Sequence, residues 1–319
     1  MNWLSWQIDY LLFLQNFREI SNHVFDSFFL MITTFGEVYI PLIFICSLYW
    51  CVNKKYGIYL FWSYLFGFIS NTFLKTTACI YRPWILDSRI KPLADAIPAA
   101  TGYSFPSGHT ASCTTTWGGA AILFWKNKYI RYMFLSIIIL VMISRNYLGV
   151  HTPQDVLVSF IISITIILFN KKLLEWEEKE SNRDLIILGI ITLINFMLII
   201  YVQFKNYPME CLNGKLLYDT TGMKSEIFSR TGFVFGAFYG WFLEKRLVNF
   251  RAQSGTIFEK ILRAVFGIII LIFINNTVKT CLINSLGDRT GLFITYTISS
   301  LFITFIYPFV IKVTKPINK

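Results

Sequence analysis

Residues 129–170 read YIRYMFLSIIILVMISRNYLGVHTPQDVLVSFIISITIILFN, two apolar runs joined by a short polar turn. A helix that crosses a bilayer needs about 20 apolar residues, within a range of roughly 17–25, and the runs 129–147 and 153–170 meet that length. Working outward from this hairpin, further apolar runs occupy 36–53, 56–74, 108–125, 185–204, 230–243, 258–276 and 290–312. The 230–243 run is short for a span and reads as a partial or re-entrant element. The expected fold is all-α, a polytopic transmembrane helix bundle with about nine spans and an N-terminal interfacial helix.

Composition points the same way. Of 319 residues, 55% are hydrophobic, 18% aromatic and only 15% charged, against roughly 25% charged in an ordinary soluble domain. Mean hydropathy is +0.55. A net charge of +11 would suit nucleic acid, but the basic residues sit in short clusters between apolar runs, where they act as topology determinants and anchors to anionic lipid. Membrane lipids are therefore the expected partners, and nucleic acid is not. The clusters at Lys54 and Lys55, Lys126 to Arg131, 171–183, Lys245 to Arg263 and from Lys312 onward fall on one side, which the positive-inside bias makes cytoplasmic. The 75–107 loop and the 145–152 turn then lie outside.

The first residues lack a basic start and a small-residue cleavage site, and Asp9 interrupts them, so they do not read as a signal peptide. Trp3, Trp6, Tyr10, Phe13, Leu14 and Phe17 recur at helical spacing and suit a helix lying in the interface. The apolar stretch 24–34 reads as a half-inserted helix. Glu37 would be costly at the centre of a span, and starting the first span near Gly36 puts it at the outer interface. The charged run KKLLEWEEKESNRD at 171–184 is a solvated connector. It divides a proposed core, 36–170, from additional C-terminal spans, 171–319, with 1–35 as the interfacial segment. Cys46, Cys51, Cys79 and Cys113 are packing residues, whereas Cys211 and Cys281 both fall in outside loops, which leaves a disulfide between them open.

Three polar patches break the apolar pattern at membrane boundaries. The first is KTTACIYRP, Lys75 to Pro83; the second YSFPSGHTAS, 103–112; the third SRNYLGVHTPQD, Ser144 to Asp155. Each has a plain reading when taken singly: snorkelling anchors for Lys75 and Arg82, a helix cap with an incidental histidine, and a capped helix start with a structural His–Asp pair. In the second patch Pro106, Ser107 and Gly108 open a helix whose first amides have no internal partner, which makes a site for an anion such as phosphate. His109 stands in its first turn. In the third, Asp155 follows His151 by four residues and can fix its tautomer, leaving the other ring nitrogen as a nucleophile. His23, the remaining histidine, has no assigned role. All three patches fall on the same side under a topology derived from other residues, and Lys75, Arg82 and Arg145 supply the positive charge a dianionic phosphate needs. No cluster has metal-ligand spacing, so no metal and no cofactor are expected.

K-x6-R-P at 75–83, P-S-G-H at 106–109 and S-R-x5-H-x3-D at 144–155 resemble the signature of the type 2 phosphatidic acid phosphatase and vanadium haloperoxidase superfamily. The resemblance implies a membrane lipid phosphatase. His151 would attack phosphorus to form a phosphohistidine, Asp155 would orient it, and His109 would protonate the leaving oxygen and then activate water. Lys75, Arg82, Ser107, Gly108 and Arg145 would hold the phosphate oxygens. It further implies no need of a divalent cation, inhibition by vanadate, and a lipid phosphate substrate. The stretches DSFFLMITTFGEVYIPLIFICSLYW and GFVFGAFYGWFLEKR look like a bacterial subgroup related to sphingosine phosphate phosphatases, which implies a bacterial cytoplasmic membrane; the charge bias has the site facing outward. Within the second stretch Gly232, Gly236 and Gly240 recur every four residues, the spacing of a close helix-packing face. Two other readings remain at this stage: transfer of the phosphoryl group to a lipid or glycan acceptor, and a non-enzymatic lipid-binding or transport protein.

Overall fold

Helix starts in this chain are set by side chains that satisfy the first free amides. Asn127 accepts from the amides of Tyr129 and Ile130. Thr152 accepts from Asp155 N–H while Asp155 accepts from Thr152 N–H, and Pro153 supplies a first helical residue that needs no donor. Thr256 and Glu259 form a full capping box.

The computed structural model describes residues 4–208, 211–212, 215–216 and 220–314. In chain order the helices are α1 (Ser5–Ile20), α2 (Asp26–Thr33), α3 (Tyr39–Ser47), α4 (Lys54–Ala78), α5 (Pro83–Leu86), α6 (Gly108–Cys113), α7 (Gly119–Leu123), α8 (Lys128–Tyr147), α9 (Pro153–Glu177), α10 (Arg183–Phe204), α11 (Thr220–Leu243), α12 (Ile257–Phe273), α13 (Lys279–Leu286), α14 (Asp288–Leu301) and α15 (Tyr307–Thr314). Wide π turns extend α3, join α6 to α7 and α12 to α13, and carry α14 into α15. Apart from a two-residue ladder, Cys211–Leu212 against Lys215–Leu216, the described chain is helical, as the apolar runs lead one to expect. The pairing of Cys211 with Cys281 concerns a side chain outside the described residues.

Four helices among the described residues are long and apolar enough to cross a membrane: α8, α9, α10 and the rod Asp288–Thr314. The pair Asp26–Gly36 and Tyr39–Val52, bent by 47°, would make a fifth. This is an integral membrane protein, but the count of nine spans is not reached by that measure. In two cases the physical reason is polarity: α4 carries Lys54, Lys55, Asn71 and Lys75, and the α6–α7 rod is short and rich in Ser, Thr and Gly. In α12 it is length, since this apolar helix has 17 residues before its π turn. The 230–243 run is not a short isolated element. It is the apolar end of α11, a 24-residue helix whose first turns, with Lys224, Glu226 and Arg230, hide it from a hydropathy reading.

The described residues pack as two compact units. The first takes those within 1–42, 60–170 and 207–220. Here α8 is the central rod, packed against α1, α2, α6 and α7, and it buries Phe134, Ile138, Val141, Ser144 and Arg145 on one stripe. Tyr147 at its end donates to Asp26 Oδ1 at 2.7 Å and lies against the Phe29 ring at 4.2 Å. The second unit takes the described residues within 43–59, 171–206 and 221–319. In lipid, apolar burial between helices has little driving force, so close backbone approach and polar contacts must hold them together. Gly232, Gly236 and Gly240 do this: a Cβ at these positions would lie 2.2, 2.2 and 2.0 Å from Phe293 O, Thr297 O and Thr304 Oγ1. Trp50, fully buried, donates to Ile303 O at 2.9 Å. Lys54 pairs with the buried Glu244 at 2.7 Å.

Candidate active site

All eight residues expected from sequence lie in the first unit. Lys75 sits in the last turn of α4, and Arg82 follows just before Pro83 opens α5. Both are buried, and both donate to one carbonyl: Thr101 O accepts from Lys75 Nζ at 3.4 Å and from Arg82 Nη2 at 2.6 Å. A shared acceptor brings two cations together. Arg82 also donates to Gly102 O and Val150 O and, through Nη1, to His151 Nε2 at 3.0 Å. The guanidinium therefore ties the 101–102 loop to the turn between α8 and α9.

His151 is buried in that turn. Its Nδ1 lies 3.4 Å from Asp155 Oδ2 and 3.4 Å from Ser104 Oγ. Ser104 donates to the same carboxylate oxygen at 2.6 Å, and Thr152 N–H does so at 2.8 Å. Arg82 has only donors to offer, so Nε2 must present its lone pair and the proton belongs on Nδ1, facing the carboxylate. Burial above all, and then the charges of Arg82, Arg145, Lys75 and His109, hold the His151 pKa well below the ordinary histidine value. The imidazole is neutral at physiological pH, with Nε2 beside a guanidinium. Asn146 fixes the turn by donating to His151 O at 2.9 Å.

The Pro-Ser-Gly-His segment starts α6. Ser107 Oγ accepts from Thr110 N and from Thr110 Oγ1 at 3.0 Å, so its own proton is free to be donated elsewhere. Ser107 N–H donates to Asp155 O, and Ser159 donates to Ser107 O at 2.7 Å, which pins this helix start to the His151 turn. A Cβ on Gly108 would meet nothing closer than Asn71 Oδ1 at 3.6 Å. The protein itself leaves room there; close approach is required only of a ligand. Arg145, fully buried near the end of α8, donates from Nη1 to Thr33 Oγ1 at 2.8 Å, while its Nε and Nη2 have no partner. His109 Nε2 is likewise buried without a hydrogen bond, and the nearest acid, Glu37 Oε1, is 4.0 Å away.

The structure thus links Lys75, Arg82, His151 and Asp155 in one hydrogen-bonded cluster and pins Ser107 and Gly108 to it. Arg145 bonds to Thr33, the last residue of α2, and His109 lies beside Gly36 and Glu37 in the segment that follows it. Ser104, Thr33 and Glu37 are additions to the site expected from sequence. Ser104 stands inside the quoted 103–112 patch, and its neighbourhood was its signal; Glu37 was noted only as an acid set at the outer interface, the side of the three patches, and Thr33, more than a hundred residues from Arg145, carried no signal. Among the described residues no group of three His, Cys, Asp or Glu side chains is placed to hold a metal ion.

Residues 56–179 match the PAP2 superfamily, and residues 228–317 match the PAP2 superfamily phosphatase transmembrane extension. The chain belongs to the PAP2 superfamily. The eight residues above all fall within its 56–179 match, so the PAP2 domain holds the whole buried cluster, while Thr33 and Glu37 come from outside it. A curated relative named undecaprenyl-diphosphatase, from Sulfolobus acidocaldarius, is 29% identical over 110 residues, covering 34% of this chain and 51% of the relative. The chain thus spans about half the length of that relative. No solved structure matches this PAP2 chain.

Proposed function

We propose that this protein is a metal-independent lipid phosphatase that hydrolyses a lipid phosphomonoester or pyrophosphate through a phosphohistidine on His151. One observation carries the reading: a buried neutral imidazole directs its nitrogen lone pair at Arg82, in the same unit as a buried Arg145 guanidinium with two unpartnered nitrogens. A phosphate dianion is a ligand whose oxygens suit such guanidinium donors and whose phosphorus suits the nucleophile. In the proposed sequence His151 Nε2 attacks phosphorus in line with the lipid oxygen. Asp155 and Ser104 hold the Nδ1 proton and stabilise the imidazolium that develops. Lys75, Arg82, Arg145, the Ser107 hydroxyl and the amides at Gly108 take up charge on the equatorial oxygens. His109 protonates the departing oxygen and then takes a proton from the water that attacks the phosphohistidine.

Candidate substrates are undecaprenyl pyrophosphate, as the relative's name suggests, phosphatidic acid and its relatives, and phosphorylated sphingoid bases. We place the catalytic core at 36–170, with the 171–319 spans as an addition to it, and the site at the outer face of a bacterial cytoplasmic membrane. The test is phosphate release from a panel of these lipids by purified protein with EDTA present. Wild type is expected to act on at least one, and His151→Ala to lose on the order of 10⁴ or more in kcat. Activity that vanishes with EDTA and returns with a divalent cation would refute the mechanism.

A further inference from the structure

Residues 33–37, which lie outside the PAP2 match, are held to the catalytic cluster at three points, Thr33, Phe35 and Gly36. Thr33 Oγ1 accepts from Arg145 Nη1 at 2.8 Å. Phe35 O accepts from Trp117 Nε1 at 2.9 Å. Gly36 packs so closely on the first turn of α6 that a Cβ there would lie 2.7 Å from His109 O. The next residue is Glu37, fixed by its own N–H on Thr34 O at 3.0 Å. Its carboxylate reaches to 4.0 Å from His109 Nε2, with side-chain exposures of 36% for Glu37 and 12% for His109. That ring nitrogen is buried and has no hydrogen bond. A gap of 4.0 Å is closed by a bridging water or a small rotation of the carboxylate. The acid is therefore not an incidental neighbour: the three anchors hold it beside a buried histidine nitrogen that has no hydrogen bond.

We propose that Glu37 is the positioning residue for His109, holding the imidazolium in place for the acid step and exchanging its proton with bulk water. This rests on the reading of His109 as the acid of a phosphatase. The charged groups that act on His109 are Arg145 from α8, Arg82 from the segment between α4 and α5, and Glu37, with His151 also close enough to interact. Two guanidiniums oppose a further positive charge, and Glu37 is the group that favours it. With Nε2 committed to Glu37, Nδ1 carries the proton to substrate. As the bond from His151 Nε2 to phosphorus forms, the P–O bond to the lipid breaks, its electron pair stays on the lipid oxygen, and that oxygen takes the Nδ1 proton. Neutral His109 then removes a proton from water as the water oxygen bonds to phosphorus and the P–N electron pair returns to His151. The net change is ester plus water to alcohol plus phosphate.

A leaving group that needs no proton separates this role from a structural one. Kinetics would be compared on a short-chain phosphatidic acid, whose alkoxide must be protonated, and on p-nitrophenyl phosphate, whose phenolate departs unaided. Glu37→Gln is expected to lose about 10²-fold in kcat/KM on the lipid phosphate, a general-acid contribution, and far less in kcat/KM on p-nitrophenyl phosphate, because that ratio ends at phosphohistidine formation, where the phenolate needs no acid and His109 does not yet act as base. The basic limb of the lipid kcat–pH profile should move to lower pH, because the lost carboxylate no longer favours imidazolium, and Glu37→Asp should recover part of both effects. Equal losses on the two substrates, or no loss on the lipid, overturn the proposal while leaving the phosphatase reading intact. A wild-type protein that hydrolyses neither substrate overturns both.

Discussion

Arg145 shows at the scale of one residue how the proposed site would trade stability for binding. Burying a guanidinium nitrogen without a partner costs about 1–3 kcal/mol, and Arg145 leaves two such nitrogens unmet while Thr33 takes only one. No packing argument favours that arrangement over an apolar side chain of similar size; the proposed phosphate ligand would. His151 expresses the same conflict in its protonation. Its pKa lies well below the ordinary value because burial and the surrounding cations penalise imidazolium. In the unfolded chain the same group titrates near 6.5. As pH falls below about 6.5 the unfolded chain binds a proton that the folded protein refuses, so stability must fall with pH in that range. Thermal unfolding of wild type and His151→Asn between pH 7 and 5 measures this. Wild type should lose stability more steeply than the variant as the medium becomes acidic; parallel slopes would show that His151 is protonated in the folded protein.

At the scale of elements, the helices were legible wherever apolarity was continuous. All nine apolar runs are helical, because in lipid every backbone donor must be met within its own segment. What the runs did not disclose was extent. The α11 helix begins at Thr220, ten residues before its apolar run, because helix formation tolerates Lys224, Glu226 and Arg230 where a hydropathy window does not. The catalytic motifs were legible because each lies at a helix end, where capping residues, prolines and charges are concentrated in a few positions. Contacts such as Arg145 with Thr33, 112 residues apart, leave no local mark. The glycine repeat in α11 was legible and is testable. Gly236→Ala places a Cβ 2.2 Å from Thr297 O, backbone that cannot rotate away, so α11 must shift at a cost of about 1–3 kcal/mol. Gly189→Ala, in α10 with nothing within 4 Å, should instead gain up to about 1 kcal/mol from helix propensity. Unfolding of the two variants in one detergent gives the comparison. Equal effects would mean that the 232–240 face is not packed.

For the whole molecule the governing variable is which side of the membrane the buried cluster faces, since that selects the leaflet from which substrate enters. On the proposed outward-facing orientation, the bias of the basic clusters would put the N-terminal end of α8, with Lys126, Lys128 and Arg131, on the cytoplasmic side. The 20-residue α8 is about 30 Å long, enough to carry the chain across the hydrocarbon core to Arg145 and the His151 turn. The Lys75 to Ser104 segment is bonded to that turn through Arg82, so it must emerge on the same face. A membrane-impermeant maleimide can read this directly in intact cells, with the six native cysteines replaced by Ser. A cysteine introduced at the exposed Ser88 should label without permeabilisation. One introduced at the exposed Lys126 should label only after the membrane is opened. In right-side-out vesicles a short-chain lipid phosphate added outside should then release phosphate at the same rate before and after permeabilisation. The reverse labelling pattern, with activity appearing only on opening, would turn the molecule over: the positive charges at Lys75, Arg82 and Arg145 would then have counted toward topology, and the substrate would be drawn from the inner leaflet.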